Sequence, residues 1–385
     1  MGSFILHHNF PAHVIYGCGA TARIAWDRDA QSVLVITDRG LLDTENIARI
    51  TRIFPRAVVY GELSGEPTSE MVDAALDFSR RNHYNLIIGL GGGSALDVAK
   101  LVAALITDTV AVTEVFGTER IGPRRTRLGL VPTTAGTGSE ATPNSIIKDS
   151  ADGVKKAVIS QELIPDWVVL DPELTLSLPA PITASTGMDA LCHCLESALS
   201  VHANAISAAY SYQGMKLLSQ NIKRAVADGA NPEVRGAMLL GSFLGGAALT
   251  IAGTTAVHAL SYPLGKRGVP HGVANGMLLP WILEYNLPAC AERLRALAPH
   301  LWSERPLRTV EDIVALTFEY VASLPVPKTL AEVGIGPEFL PELAAEAMEQ
   351  ERLLANNPRP LSVADAVAIY REILNQNKPD GWYDP

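Results

Sequence analysis

One stretch narrows the folds open to this 385-residue chain more than any other: residues 85–100, NLIIGLGGGSALDVAK. Asn85 to Leu90 has the apolar character of a buried strand. Three glycines follow, and Leu96 to Ile106 reads as a helix. The chain surrounds this strand–turn–helix unit with similar pieces. Ser32 to Thr37 (SVLVIT), Arg56 to Tyr60 (RAVVY), Leu128 to Val131 and Val168 to Leu170 read as short buried strands. Ser69 to Arg81 has helical spacing, with Met71, Ala74, Ala75 and Phe78 on one face. Alternation of strands and helices predicts a parallel sheet covered by helices. The pattern changes after Pro172, Pro179 and Pro181, and helical periodicity dominates from Ser185 onward. Helices are predicted over Met188–Leu199, Ala205–Val226, Pro232–Leu249, Val273–Tyr285, Val310–Ser323 and Val363–Leu374. The expected organisation is an α/β domain over 1–180 and an all-α domain over 181–385.

Glycines between a strand and a helix let backbone N–H groups approach a phosphate, and the helix N-terminus adds favourable partial charge. Gly91, Gly92 and Gly93 therefore form a candidate pyrophosphate loop, with Ser94 able to cap the helix or donate to phosphate. The pattern is neither GxGxxG nor a Walker loop, since no GK[ST] follows. A tight strand–helix turn would look the same. A second small-residue loop, VPTTAGTGSE over 131–140, also follows a strand directly. Ligands bind at the carboxyl ends of the strands in open α/β sheets, so two such loops together favour a dinucleotide site. Asp38 ends the strand SVLVIT, where a carboxylate can accept from an adenosine ribose and repel a 2′-phosphate. A turn aspartate would occupy the same place, and Arg39 beside it leaves the choice between NAD and NADP open.

Charge and cysteine content restrict the partners. Lys plus Arg number 31 against 41 Asp plus Glu, a formal net charge of -10, which argues against a nucleic-acid backbone binder. Cys18, Cys192, Cys194 and Cys290 are too few and too scattered for a disulfide framework. The first residues lack the basic and apolar regions of a secretory signal, and no stretch approaches 18 uninterrupted apolar residues. A cytoplasmic globular protein, independent of membranes, is expected.

The helical half carries its own constellation. In GMDALCHCLES, Asp189 and His193 lie four apart and share a helix face. Further on, HALSYPLGKRGVPHG supplies His258 and His271. One carboxylate and three imidazoles can hold a divalent first-row metal such as Fe²⁺ or Zn²⁺. Such an ion binds an alcohol oxygen and stabilises the alkoxide from which hydride leaves. Each residue also has a plainer reading: a surface i, i+4 pair for Asp189 and His193, a core histidine for His258, a helix cap for His271. Cys192 and Cys194, two apart on a helix, are read as packing residues.

Taken in order, GGGSALDVAK, PTTAGTGSE, GMDALCHCLES, and HALSYPLG followed by VPHGVAN resemble the iron-containing (group III) alcohol dehydrogenase family, collinearly from about Tyr16 to Tyr370. The resemblance implies a Rossmann-like dinucleotide-binding domain followed by a helical domain, a dehydroquinate synthase-like architecture with NAD(P) and a metal in the cleft between them. It implies the metal ligands Asp189, His193, His258 and His271, with Fe²⁺ expected first and Zn²⁺ second. It also implies an NAD(P)-dependent exchange between an alcohol and an aldehyde or ketone, in a homodimer or larger homo-oligomer. Gly91, Gly92, Gly93 and Ser94 match the family's pyrophosphate loop, and Asp97 the acidic residue in its helix. Thr133, Thr134, Thr137 and Ser139 match the second cofactor loop. Lys155, with Lys156 beside it, matches the lysine near the nicotinamide ribose, while Asn144 and Leu249 match places near the substrate cavity.

Two departures stand out. Many relatives carry a proton-relaying histidine four residues after the third ligand, where this chain has Tyr262. The interval from His258 to His271 is 13 positions, one shorter than is common in the family, and Lys266 and Arg267 sit in the shortened loop. Metal-independent maleylacetate reductases, which reduce an oxo acid, form the next reading; their corresponding segment carries more histidine and cysteine than HALSYPLG. A lyase on the dehydroquinate synthase fold would need a richer lysine and arginine lining than the ligand segments offer.

Overall fold

The computed structural model describes residues 8–23, 32–301 and 309–375. The amino-terminal stretch read above for a secretory signal lies outside these over residues 1–7. The chain divides into two compact units, Met1–Leu176 and Ser177–Pro385.

In the first unit, strands β1 (His13–Tyr16), β2 (Val33–Asp38), β3 (Val58–Leu63), β4 (Leu86–Gly91), β6 (Arg127–Pro132) and β9 (Trp167–Leu170) form a sheet in the order β1-β9-β6-β4-β2-β3. Every pairing in it is parallel. A smaller sheet joins β5 (Gly117–Thr118), β8 (Lys155–Ile159) and β7 (Asn144–Lys148), with β7 and β8 antiparallel. Both faces of the large sheet are covered, which is why its central strands read as continuous apolar runs. Leu34, Ile36, Ile87, Leu128 and Leu130 pack on one side with residues of α3 (Ser69–Ser79) and α4 (Gly93–Leu105), such as Leu76, Val98 and Val102. Val33, Val35, Leu86, Ile88 and Val169 pack on the other with Ala20 of α1 (Ala20–Arg23) and with Ile47 and Ile50 of α2 (Glu45–Ile53).

Strand order fixes where this unit can bind a ligand. From β2 the chain passes to β3 on one side, then returns to build β4, β6 and β9 on the other. The switch point therefore lies between β2 and β4, whose carboxyl ends carry Asp38 and Gly91.

The second unit contains helices α5 (Ala180–Leu199), α6 (Ala205–Ala227), α7 (Pro232–Ala252), α8 (Ala256–Lys266), α9 (His271–Leu297), α10 (Glu311–Ala322), α11 (Leu340–Met348), α12 (Glu351–Leu354) and α13 (Val363–Asn375). Helix α5 is buried along nearly its whole length beneath α6, α7 and α9. Helix α7 is long and apolar enough to span a membrane by length and composition, and 67% of that window is buried inside the unit. A run of helices enclosing one another has few polar faces, which explains its high apolar content.

The structure shows several differences from the sequence reading. Helix α4 starts at Gly93 rather than Leu96, because glycine lowers helix propensity but permits close packing at a first turn. Helix α5 starts at Ala180, ahead of the expected Met188, with Pro181 accommodated in the first turn where its missing N–H costs nothing. Helix α9 runs beyond Tyr285 to Leu297, past Pro280 and Pro288, and its backbone departs from helical geometry at Cys290. Helices α2 and α8 were not anticipated as such; α8 contains Pro263, which disguises it in the sequence.

Candidate active site

In the first unit, the glycine loop feeds the first turn of α4. Gly92 is its N-cap, so Ser94 sits inside the first turn and does not cap the helix. First-turn N–H groups have no intrahelical acceptor, which leaves them available to an anion. A Cβ on Gly93 would lie 2.6 Å from Thr137 Cγ2, so glycine is what allows the two loops to meet. Thr133 N–H donates to the Gly91 carbonyl at 2.9 Å, and the methyl and hydroxyl of Thr134 stand beside Gly92. Gly92 N–H approaches Asp38 Oδ2 at 3.4 Å. Burial raises the Asp38 carboxyl above its ordinary range, and that N–H opposes the rise. Arg39 is exposed and forms an ion pair with Glu62.

The remaining candidates of this unit are engaged within the protein. Asp97 Oδ1 accepts from Ser139 Oγ at 2.5 Å, and its Oδ2 accepts from Ile146 N–H at 2.9 Å. Lys100, which the sequence reading passed over, is fully buried. Its ammonium donates to Ser139 Oγ at 2.8 Å, Thr142 Oγ1 at 3.1 Å and the Asn144 carbonyl at 2.7 Å. These bonds fasten the second loop to α4. Burial lowers the Lys100 pKa to about 8 and raises the neighbouring Glu140 to about 7. A buried GxxxxxxK spacing after a strand was the available signal for Lys100, though an isolated lysine in a helix is usually exposed. Lys155 and Lys156 alternate along β8; Lys155 binds Glu66 at 2.5 Å, and Lys156 binds Asp149 at 2.6 Å and Asp152 at 2.8 Å.

In the second unit, three helices converge. Asp189 and His193 come from α5, His258 from the first turn of α8, and His271 from the first residue of α9. Gly272 brings α9 close: a Cβ there would sit 2.2 Å from the Ser185 carbonyl oxygen of α5. The Nε2 atoms of His193, His258 and His271 lie 3.6, 3.7 and 3.6 Å from the same oxygen, Asp189 Oδ1. Asp189, His193 and His258 are buried, and His271 is half-buried. The rings of His193 and His258 stack with centroids 4.9 Å apart. Burial would raise the Asp189 carboxyl, but His193, His271, His258 and Asn275 together hold it below the usual carboxylate range.

This donor set fits a divalent cation. Ligand bonds of about 2.0–2.2 Å at a tetrahedral centre place ligand atoms roughly 3.4 Å apart, close to the spacings found here. Ligand atoms of Asp189, His258 and His271 lie within 4.8 Å of one another. Asn275 Nδ2 reaches into the same point, 2.7 Å from Asp189 Oδ1, 3.1 Å from His271 Nε2 and 3.3 Å from His258 Nε2. An amide has two protons for these three acceptors, so it cannot satisfy all of them. Asn275 lies four residues after His271 on the same helix face, a spacing legible in HGVAN.

Tyr262 lies one turn after His258, with its ring 6.0 Å from that of His271. Lys266 and Arg267 turn to α11, where Lys266 and Arg267 each bind Glu346 at 2.6 Å and Arg267 also binds Glu342 at 2.9 Å. Their charges are thereby neutralised locally. Cys192 and Cys194 are buried, and burial pushes both thiols up. That agrees with packing rather than ligation.

A parallel sheet with phosphate-type loops, and a separate helical unit with a His₃Asp cluster, define the class of metal-assisted dinucleotide oxidoreductases. The family model "Iron-containing alcohol dehydrogenase" matches residues 11–172, and the C-terminal model of the same family matches residues 183–374. The long-chain-alcohol dehydrogenase 1 of Geobacillus thermodenitrificans is 36% identical over 357 residues, covering 89% of each chain. The 1,3-propanediol dehydrogenase of Citrobacter freundii is 30% identical over 353 residues, covering 89% of this chain and 91% of its own. Among solved structures, a 1,3-propanediol oxidoreductase superposes with a TM-score of 0.92 at 27% identity, covering 96% of this chain and all of that one. The sulfoacetaldehyde reductase of Bifidobacterium kashiwanohense, in complex with NAD⁺, gives 0.88 at 26% identity, covering 97% and 100%. The chain belongs to the iron-containing alcohol dehydrogenase family. It is an oxidoreductase that interconverts alcohols with their carbonyl counterparts.

Proposed function

We propose that the chain is an NAD(H)-dependent dehydrogenase of small alcohols and aldehydes that works with one divalent cation, Fe²⁺ before Zn²⁺, held by Asp189, His193, His258 and His271. The observation that carries this reading is the convergence of three imidazole Nε2 atoms within 3.6–3.7 Å of one Asp189 oxygen. A cation there would supply Lewis acidity toward the substrate oxygen. Asp189 and the three imidazoles orient it, and the single carboxylate leaves the centre a net positive charge.

In the first unit, the N–H groups of Gly92, Gly93 and Ser94 would bind the cofactor pyrophosphate, with Gly91 giving the strand its exit. Asp38 would accept from the adenosine ribose and disfavour a 2′-phosphate, which supports NAD over NADP. Thr133, Thr134 and Thr137 would border the cofactor. Asp97, Lys100 and Ser139 support the same loop from behind. Lys155 and Asn144 keep their assignments beside the nicotinamide ribose and the substrate, and Leu249 borders the substrate. Tyr262 would line the substrate cavity or orient a water, with protons leaving through water or the cofactor ribose.

This reading includes the domain assignment, with NAD(P) bound by 1–180 and the metal by 181–385. It also includes a cytoplasmic homodimer or larger assembly. Cys18, Cys192, Cys194 and Cys290 are free, which suits a reducing compartment.

The deciding experiment is NADH oxidation with a panel of aldehydes, diols and oxo acids in the presence of Fe²⁺, Zn²⁺ or strong chelator, alongside metal analysis. Turnover of aldehydes that falls with chelator and returns with Fe²⁺ is expected. Full turnover of metal-free protein in chelator would overturn the metal assignment, and activity confined to oxo acids would overturn the substrate class.

A further inference from the structure

Glu196 is buried in α5, three residues after His193, and its carboxylate is unusually heavily used. Its Oε1 accepts from Thr255 N–H at 2.8 Å, Thr255 Oγ1 at 2.8 Å, Val257 N–H at 3.0 Å and His258 N–H at 3.3 Å. Its Oε2 contacts His258 Nδ1. The N-cap of α8 is Thr255, whose own side chain makes no capping bond to the helix. Glu196 therefore supplies, from a different helix, the acceptor that the first turn of α8 needs, and its charge complements the positive end of the helix dipole.

The second oxygen has a chemical consequence. An ionised carboxylate only accepts hydrogen bonds, so His258 Nδ1 must carry the proton. A neutral imidazole protonated at Nδ1 has its lone pair at Nε2, and there the Asn275 amide Nδ2 stands 3.3 Å away as a donor.

We infer that Glu196 is a positioning residue: it fixes His258 in the Nδ1–H tautomer and pins the start of α8, so that Nε2 is presented as a ligand. The inference rests on reading the His₃Asp cluster as a metal centre, but its first test does not. In the metal-free wild-type protein with ¹⁵N-labelled histidine, His258 is assigned by comparison with His258→Ala. Its Nδ1 should give the shift of a protonated nitrogen and its Nε2 that of a bare one. A wild-type His258 protonated at Nε2 overturns the inference without any further variant.

Glu196→Gln supplies the second test. The glutamine amide can turn a donor toward His258 Nδ1, which forces the proton to Nε2. The expected result is an exchanged tautomer and a Zn²⁺ affinity, measured by competition with a chromophoric chelator, weaker by about 10–100-fold, the range for lost outer partners of a histidine ligand. Glu196→Asp keeps the carboxylate and should restore the tautomer and most of the affinity. Thr255→Val removes one donor to Glu196 and should lower Tm with the tautomer unchanged. An unchanged tautomer with undiminished Zn²⁺ affinity in folded Glu196→Gln overturns the inference. Wild-type protein with the Nδ1–H tautomer that binds no metal overturns the metal reading and leaves the Glu196 assignment standing.

Discussion

Among the described residues, each unit contains a buried cluster of charged side chains, and the two are built on opposite plans. In the first unit, Lys100, Asp97 and Ser139 satisfy one another: the ammonium has three oxygen acceptors, and the carboxylate two donors. The cluster is closed, and its product is the shape of a loop. In the second unit, outer partners such as Glu196 are saturated, while three imidazole nitrogens each stand 3.6–3.7 Å from one oxygen of Asp189. Asn275 Nδ2 stands among them, but its two protons cannot satisfy every acceptor it faces. On the reading proposed above, the closed cluster is a structural device and the open one a binding site, although both cost desolvation on folding.

The contrast predicts crossed outcomes for substitution. His271→Ala removes one inward-facing imidazole, a proposed metal ligand, from a half-buried position. A Lewis acid is worth several kcal/mol of transition-state stabilisation, and about 1.4 kcal/mol is a factor of ten. Turnover should fall by at least ~10³-fold, metal content should fall with it, and the urea midpoint of the metal-free protein should barely move. Retained metal and turnover would mean that the cluster is not a centre of this kind.

Lys100→Met should do the reverse. It leaves Asp97 buried without its counter-ion, a change worth about 3–5 kcal/mol when a buried pair is broken. The urea midpoint should drop clearly, while the Zn²⁺ affinity of the folded fraction stays near that of the wild type. A stable Lys100→Met protein would show that the cluster is not a brace.

Glu140 sharpens the comparison, because it is buried beside the first cluster and its Oε1 finds no hydrogen-bond partner among the described residues. Burial raises its pKa from 4.5 to about 7. Between those values the folded protein holds a proton that the unfolded chain has released. Stability contributed at this position is therefore full below pH 4.5 and is lost as pH rises toward 7, by up to ~3 kcal/mol. Glu140→Gln, which stays neutral, should flatten that fall. Urea midpoints measured between pH 5 and pH 8 check it, and parallel curves for the two proteins would refute it.

Asp38 tests the proposed backbone-built cofactor site against these side-chain clusters. Asp38→Gly should raise the preference for NADP over NAD by about 10–100-fold, equivalent to the ~1–3 kcal/mol expected for like-charge repulsion at a partly buried site. The ratio of kcat/KM for the two cofactors measures it. An unchanged ratio would mean that Asp38 faces Gly92 and not the ribose.

Local patterns made part of this legible in the sequence. The strand over Leu86–Gly91 and its glycine exit are contiguous, and Asp189 and His193 share one helix face, so periodicity alone joins them. His258 and His271 could be matched to that pair only through the order of motifs along the chain, because no local rule brings three helices together. The supporting partners were hidden for a different reason. Lys100 and Glu196 are ordinary charged residues on helices, and such residues are usually solvated. What distinguishes them is complete burial against Ser139 and Thr255, partners 39 and 59 residues away. The helical character of Ala256–Lys266 was obscured by Pro263, which the structure tolerates within α8.

Tyr262 stands at the rim of the open cluster, and its expected effect is the smallest. It follows His258 by one helical turn, and its ring is tilted 50° against that of His271 at 6.0 Å. A phenol with a reference pKa of ~10 is a weak base at neutral pH, so it is a poor substitute for a relaying imidazole. It can still donate to, or accept from, a substrate hydroxyl or a water. Removing the hydroxyl while keeping the ring preserves the contact with His271 and deletes only that hydrogen bond, a loss of about 0.5–1.5 kcal/mol. Tyr262→Phe should therefore raise KM by roughly threefold to tenfold and leave most of kcat. Proton release would continue through water, with the pH profile of kcat unchanged. A fall in kcat of ~10³-fold or more at constant metal content lies in the upper range of acid–base catalysis. That outcome would make the phenol an essential proton donor of this chain.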